Sequence, residues 1–230
     1  MDFATNPTIA AQSLAATLPF WDQLSSAERE RLARATRLLR ARNAERIQGG
    51  GSGCAGVVVA LSGSLRAYML SEGGKEITLF RVEAGESCVL AASCILPMIT
   101  FDIALDAADD VEALVIDPHL FSQLAQENTA VEAFLYRQTA QRFSDCMWVM
   151  QQVLFSSFDA RLATFLLDEL SRTGSEHIAM THDEIARLLG SAREVVSRML
   201  KYFEREGLVA LGRGAVDIID RRGLLALATA

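Results

Sequence analysis

The chain has 230 residues, half of them hydrophobic and 22% charged, with a formal net charge of −7; it is long enough for one large or two small domains with real cores and too apolar to stay disordered. No apolar run reaches the ~18 residues of a membrane-spanning helix, and the start Met1-Asp2-Phe3 lacks the basic and apolar regions of a secretion signal, so a cytoplasmic protein with no membrane partner is expected. The four cysteines, Cys54, Cys88, Cys94 and Cys146, contain no CxxC pair, which excludes a zinc ribbon and argues against a disulfide scaffold.

Residues 8–40 read as helical. Pro19-Phe20-Trp21 precedes a capping-type start at Ser25-Ser26-Ala27-Glu28, and Leu32, Ala35, Leu38 and Leu39 share one side. From about residue 44 to 116 glycines separate short β-favouring runs, among them Val57-Val58-Val59, Leu65 to Leu70 and Glu76 to Val82. Many short strands with glycine turns predict a small β-barrel or roll. Beyond Leu120, the residues Val131, Phe134, Leu135, Phe143, Met147, Met150 and Leu154 recur at spacings of three and four, a stripe on one helix of roughly seven turns. Such a stripe serves either core packing or a subunit interface, and a helix this long has more apolar face than a small barrel covers. Ser156-Ser157-Phe158-Asp159 breaks the pattern, and a new helix is expected from Ala160 to about Ser171.

The last segment carries the most information. Thr181-His182-Asp183-Glu184 is a capping box, Ile185, Leu188 and Leu189 form an inner face, and Gly190 ends the helix. Ser191-Ala192-Arg193-Glu194 reads as a second capping box opening a second helix, so the pair makes a helix-turn-helix. On the second helix Val196, Met199, Leu200 and Phe203 face inward at i, i+3, i+4 and i+7, leaving Arg193, Glu194, Ser197, Arg198 and Lys201 outward. That set suits major-groove reading, since Arg pairs with guanine O6 and N7 and Glu accepts from the cytosine amino group. A solvated face with an i,i+4 Glu194–Arg198 pair is the plainer alternative. Leu208 to Leu211, Gly212-Arg213-Gly214 and Ala215 to Ile219 follow as a two-stranded wing. Charge agrees: residues 171–230 hold 9 Lys and Arg against 8 Asp and Glu, whereas residues 1–170 hold 13 against 21.

The stretch THDEIARLLGSAREVVSRMLKYFEREG, Thr181 to Gly207, closely resembles the helix-turn-helix of the bacterial CRP/FNR superfamily of regulators. Leu61-Ser62-Gly63-Ser64-Leu65-Arg66, Gly74 to Leu79 and Ala84-Gly85-Glu86 look like that family's barrel landmarks, so the likeness runs over nearly the whole chain. It implies an α+β protein with a cyclic-nucleotide-binding-like β-roll and N-terminal helices over residues 1–120, a dimerisation helix over 121–155 and a winged helix-turn-helix over 156–230. It further implies a homodimer through the long helix, with Val131, Phe143, Met147, Met150 and Leu154 at the interface. The partners it implies are a pseudo-palindromic promoter site and RNA polymerase, and no enzymatic activity is expected. Arg193, Glu194 and Arg198 match the family's base-reading set, and Ser197, Lys201, Thr181 and His182 complete the expected DNA contacts.

The ligand cassette departs from the family. Members that bind cyclic nucleotides carry a Glu for the ribose and an Arg followed by Ser or Thr for the phosphate; here Leu90 and Thr100-Phe101 fall at those places, and no Lys or Arg occurs between Arg81 and Arg137. A buried phosphate without a cation is costly, which argues against cyclic AMP. Cys88 and Cys94 occupy the segment instead. They read as buried small hydrophobes, as a thiol sensor of redox state or reactive sulfur, or as ligands of a metal, iron-sulfur cluster or haem. Four cluster ligands are not evident, since no cysteine precedes Cys54, and His119, His177 and His182 show no metal spacing. No metal or other cofactor is therefore expected, and Cys54, in a glycine loop, is expected to take no part in sensing. A thiol oxidoreductase is the rival from another class, but no His or Arg in the segment would lower a thiol pKa. A third reading is a constitutive DNA-binding protein with a vestigial sensor.

Overall fold

The computed structural model describes residues 2–4, 6–49, 54–91 and 103–229 and divides the chain into two compact units: Met1–Met69 with Leu79–Met147, and Leu70–Thr78 with Trp148–Ala230.

In the first unit α1 (Pro7–Thr17) starts on the Asn6 cap, and α2 (Ser26–Arg34) starts on a formed capping box between Ser25 and Glu28. Helix stops there. The segment expected to carry the helix on to residue 40 is strand β2 (Thr36–Ala41), which pairs with both β1 (Asp2–Ala4) and β9 (Val111–Ile116). β9 pairs with the whole of β2 and β1 with residues 38–40 on the other edge, and this pairing outweighs the helical periodicity of Leu38 and Leu39. β4 (Val57–Ser62) lies on the far side of β9, and β7 (Ser87–Cys88) beyond it, giving the order β1-β2-β9-β4-β7. A second sheet runs β3-β8-β5-β6 from Arg46–Gln48, Ala104–Ala107, Leu65–Leu70 and Glu76–Val82. The recorded pairings are antiparallel, as a roll built of short strands requires.

The run Val57-Val58-Val59 is apolar throughout because β4 is covered on both faces. Val58 joins Leu39, Leu65, Leu105 and Val115 in the core between the sheets; Val57 and Val59 join Leu14, Leu32, Phe121 and Leu124 beneath the helices. Gly63 makes the β4–β5 turn at φ 70, where a Cβ would meet the Asp110 carbonyl oxygen at 2.3 Å, so no other residue fits. α3 (Pro118–Glu127) leads into α4 (Thr129–Phe155), whose first turns are anchored by edge-on contacts of Phe134 with Phe20 at 5.0 Å and Phe121 at 6.4 Å. Val131 is completely buried in this cluster. It is intrachain core, which corrects its assignment to a subunit interface: at the start of α4 the roll itself supplies the cover. Phe143, Met147, Met150 and Leu154 stay exposed, Phe143 by 65%.

The second unit contains α5 (Phe158–Thr173), β10 (His177–Ile178), α6 (His182–Leu188), α7 (Arg193–Arg205), β11 (Val209–Gly212), β12 (Ala215–Ile218) and α8 (Arg221–Ala228) around one core. The wing is three-stranded, order β10-β12-β11, rather than two-stranded. Two residues of β10 are too short to show alternation, and only pairing with β12 makes them a strand. α8 was not expected either; it is capped by the Asp220 side chain and buries Leu224.

Candidate nucleic-acid interface

α6 is held at its start by a reciprocal box. Glu184 accepts from the Thr181 backbone N–H at 2.7 Å, and Thr181 Oγ1 accepts from the Glu184 N–H at 3.3 Å. The Thr181 backbone N–H first, and then the Thr181 hydroxyl, which donates to the same carboxylate at 2.8 Å, hold the Glu184 carboxyl below its ordinary pKa. The second box expected at Ser191–Glu194 does not form: α7 begins after Ala192 with no side-chain cap. Gly190, at φ 62, makes the turn that sends α7 off at a new angle. That turn has a neighbour absent from the linear reading. The first residues of β6 lie against it, with Glu76 Oε2 3.9 Å from Arg187 Nε and Ile77 Cγ1 3.0 Å from where a Gly190 Cβ would sit.

Val196, Leu200 and Phe203 are fully buried and Met199 packs beside them. Burying three such side chains stabilises the unit by about 5–9 kcal/mol before entropy. On the opposite side Arg193, Glu194, Arg198 and Lys201 are exposed and Ser197 half-buried. At ~100° per residue these five share an arc of about 140°. Arg193 Nε lies 3.5 Å from Asp183 Oδ2, and no ion pair joins Glu194 to Arg198 among the described residues. Thr181, exposed, and His182, half-buried, sit at the start of α6. The wing turn adds Arg213, exposed and not singled out from sequence because one Arg in a turn has no pattern.

Cys88 is fully buried on β7, and burial pushes its thiol pKa up, so the thiolate a sensor needs is disfavoured. Cys88 and Cys146 are free, whereas Cys54 is disulfide-bonded. Cys88 therefore takes part in no bridge, and Cys54, set aside as a loop residue, is engaged in one. Cys94, Thr100 and Phe101 lie outside the described residues. Among the described residues no three His, Cys, Asp or Glu side chains are placed to hold a metal.

A cation does reach the cassette, contrary to what the local sequence suggested. Arg142, remote in sequence on α4, donates to the Ser87 carbonyl at 3.2 Å and to Glu86 Oε2 at 3.3 Å, beside the turn that opens the cassette. Its spacing of seven from the buried Leu135 places it on the inward face, a signal the apolar stripe obscured.

A helix pair joined at Gly190, an outward basic face and a three-stranded wing define a winged helix-turn-helix DNA-binding protein. The model of the Crp-like helix-turn-helix domain matches residues 160–227. Transcriptional regulator SdrP of Thermus thermophilus is 30% identical over 179 residues, covering 73% of this chain and 81% of that protein. Transcriptional activator protein anr of Pseudomonas aeruginosa is 26% identical over 180 residues, covering 75% and 72%. The crystal structure of a Crp/Fnr-family transcriptional regulator from Eubacterium rectale superposes with a TM-score of 0.90 at 36% identity, over 94% of this chain and 100% of that one. The chain belongs to the CRP/FNR family: it is a DNA-binding transcriptional regulator, not an enzyme.

Proposed function

We propose that the chain works in the cytoplasm as a homodimer that reads a pseudo-palindromic promoter site and engages RNA polymerase. Support for the dimer comes from α4, where the exposed residues Tyr136, Ala140, Phe143, Met147, Met150 and Leu154 follow one another at spacings of four, three, four, three and four. That is the heptad seam of a parallel coiled coil. Two reading helices then enter successive major grooves about 34 Å apart.

Arg193, Glu194 and Arg198 contact base edges, and Ser197, Lys201, Thr181, His182 and Arg213 contact the backbone. The observation that carries this reading is the exposed Arg193–Glu194–Arg198 face opposite a fully buried one. The signal is not a cyclic nucleotide: Leu90, at the ribose position, is an apolar core residue. A thiol signal acts through the Cys54 disulfide rather than through buried Cys88, because a disulfide in the reducing cytoplasm is usually transient and redox-linked.

Fluorescence anisotropy with a fixed palindromic duplex tests the reading. Arg198→Ala should lose about 1–3 kcal/mol of discrimination at one base position, with little change on nonspecific DNA. Equal discrimination by the variant and the parent would remove Arg198 from the reading set.

A further inference from the structure

Arg142 is held out of water with its bonding capacity incompletely used. Only 6% of the residue is exposed. Nη1 donates to Asp145 Oδ2 at 3.0 Å, and Nη2 donates to the Ser87 carbonyl and, at 3.3 Å, to Glu86 Oε2. The Phe80 ring lies against the guanidinium at 4.6 Å. The Nε–H is buried and has no partner. A buried donor left without an acceptor is costly and is the kind of exception that calls for a physical account.

Nε and Nη2 are the adjacent donors on one edge of a guanidinium, spaced to meet both oxygens of a single carboxylate. Here one donor is empty, and the other holds a Glu86 oxygen at the long end of the bonding range. The Glu86 side chain is 50% exposed, so it can leave. Arg142 lines a cleft of about 610 Å³ with Thr17, Pro19, Arg81, Glu86, Gln138 and Gln141, and Phe80 and Phe134 stand in its wall. That volume suits a small ligand.

The charges select the ligand. Arg81 and Arg142 face Glu83, Glu86 and Asp145 around the cleft. Asp145 is committed, accepting from Arg142 and from the Gln141 amide. A multiply charged anion meets this acidic rim unfavourably, whereas a monocarboxylate that replaces Glu86 leaves the charge at Arg142 unchanged and makes two bonds to Arg142 where one stood, while the Glu83 N–H, from which Glu86 also accepts at 3.2 Å, turns to solvent with it.

We propose that the cleft binds a small organic monocarboxylate, whose two oxygens take the Nε–Nη2 edge of Arg142 after the Glu86 side chain turns into solvent. Arg142 ties the turn before β7 to the helix proposed as the dimer seam, so occupancy reaches that helix directly. This regulatory consequence rests on the dimer seam proposed above; the binding itself does not.

Calorimetric titration of the full chain with benzoate tests the site, with inorganic phosphate as the competing oxyanion. The wild type should bind benzoate in the millimolar range, and Glu86→Gln, which removes the competing charge, should bind about tenfold more tightly. Arg142→Lys keeps the charge and loses the edge, so it should bind at least about tenfold more weakly while its circular dichroism and melting confirm a folded protein. Three results overturn the proposal: no heat from wild type or Glu86→Gln up to about 20 mM, unchanged affinity in a folded Arg142→Lys, or phosphate binding as tightly as benzoate. DNA affinity measured in parallel separates the two readings. Benzoate binding that leaves DNA affinity unchanged upholds the site and overturns only its link to regulation.

Discussion

The two halves of α4 should respond to mutation in opposite ways. Val131 is completely buried against the roll of its own chain. Val131→Ala removes two methyl groups at ~0.8 kcal/mol each and leaves a cavity, a loss of about 2–3 kcal/mol of protomer stability. Its melting temperature should fall while the dimer constant at 20 °C barely moves. Phe143 is 65% exposed in the protomer, so Phe143→Asp should cost the isolated fold no more than about 0.5 kcal/mol. At a twofold seam the same substitution places two carboxylates in facing layers. Burying them unpaired costs about 3–5 kcal/mol, which weakens the dimer at least ~100-fold. Sedimentation velocity over a concentration series measures this directly, and thermal unfolding read alongside it separates stability from association. Binding to a two-half-site duplex should drop with the dimer. A folded Phe143→Asp that sediments as the parent does would refute the seam. Dissociation by Val131→Ala at unchanged stability would refute the division of the helix.

Reductant should change the DNA affinity of the wild type; Cys54→Ser should abolish the response and Cys88→Ser should keep it, and an identical response in both variants would show that Cys54 is not the switch. Buried Cys88, its pKa pushed up by desolvation, should resist alkylation in the native protein, which mass spectrometry after a short iodoacetamide pulse checks. The Thr181–Glu184 box makes a pH prediction. The folded-state pKa of Glu184 lies below its unfolded value, so its contribution is complete above the ordinary carboxylate range and is lost as pH falls through that range and below. Urea unfolding of Glu184→Gln against wild type from about pH 6 to pH 3 should show the difference between them shrinking with acidity.

Much of this protein was legible in the chain itself, wherever a residue's role depends on near neighbours. The strands Val57–Ser62, Leu65–Leu70 and Glu76–Val82 announced themselves by composition and glycine punctuation. The Thr181–Glu184 box and the inward set Val196, Leu200 and Phe203 followed from spacing alone, because capping and helical periodicity are contacts within four residues. The outward placement of Arg193, Glu194 and Arg198 came with them as the complement of the buried face.

Tertiary structure decided what depended on distant partners. Thr36–Ala41 is a strand because β1 and β9 flank it, and His177–Ile178 because β12 does. One apolar stripe became core at Val131 and exposed surface at Phe143, since periodicity tells which side faces in but not where the covering element ends. That Cys54 is disulfide-bonded and Cys88 fully buried and free could not be read from their places in the sequence. Arg142 is the clearest case. Its Glu86 and Ser87 partners lie 56 and 55 residues away, and only the fold brings that charge to the cassette turn. Burial and electrostatics depend on everything packed around a group, and no local pattern encodes that.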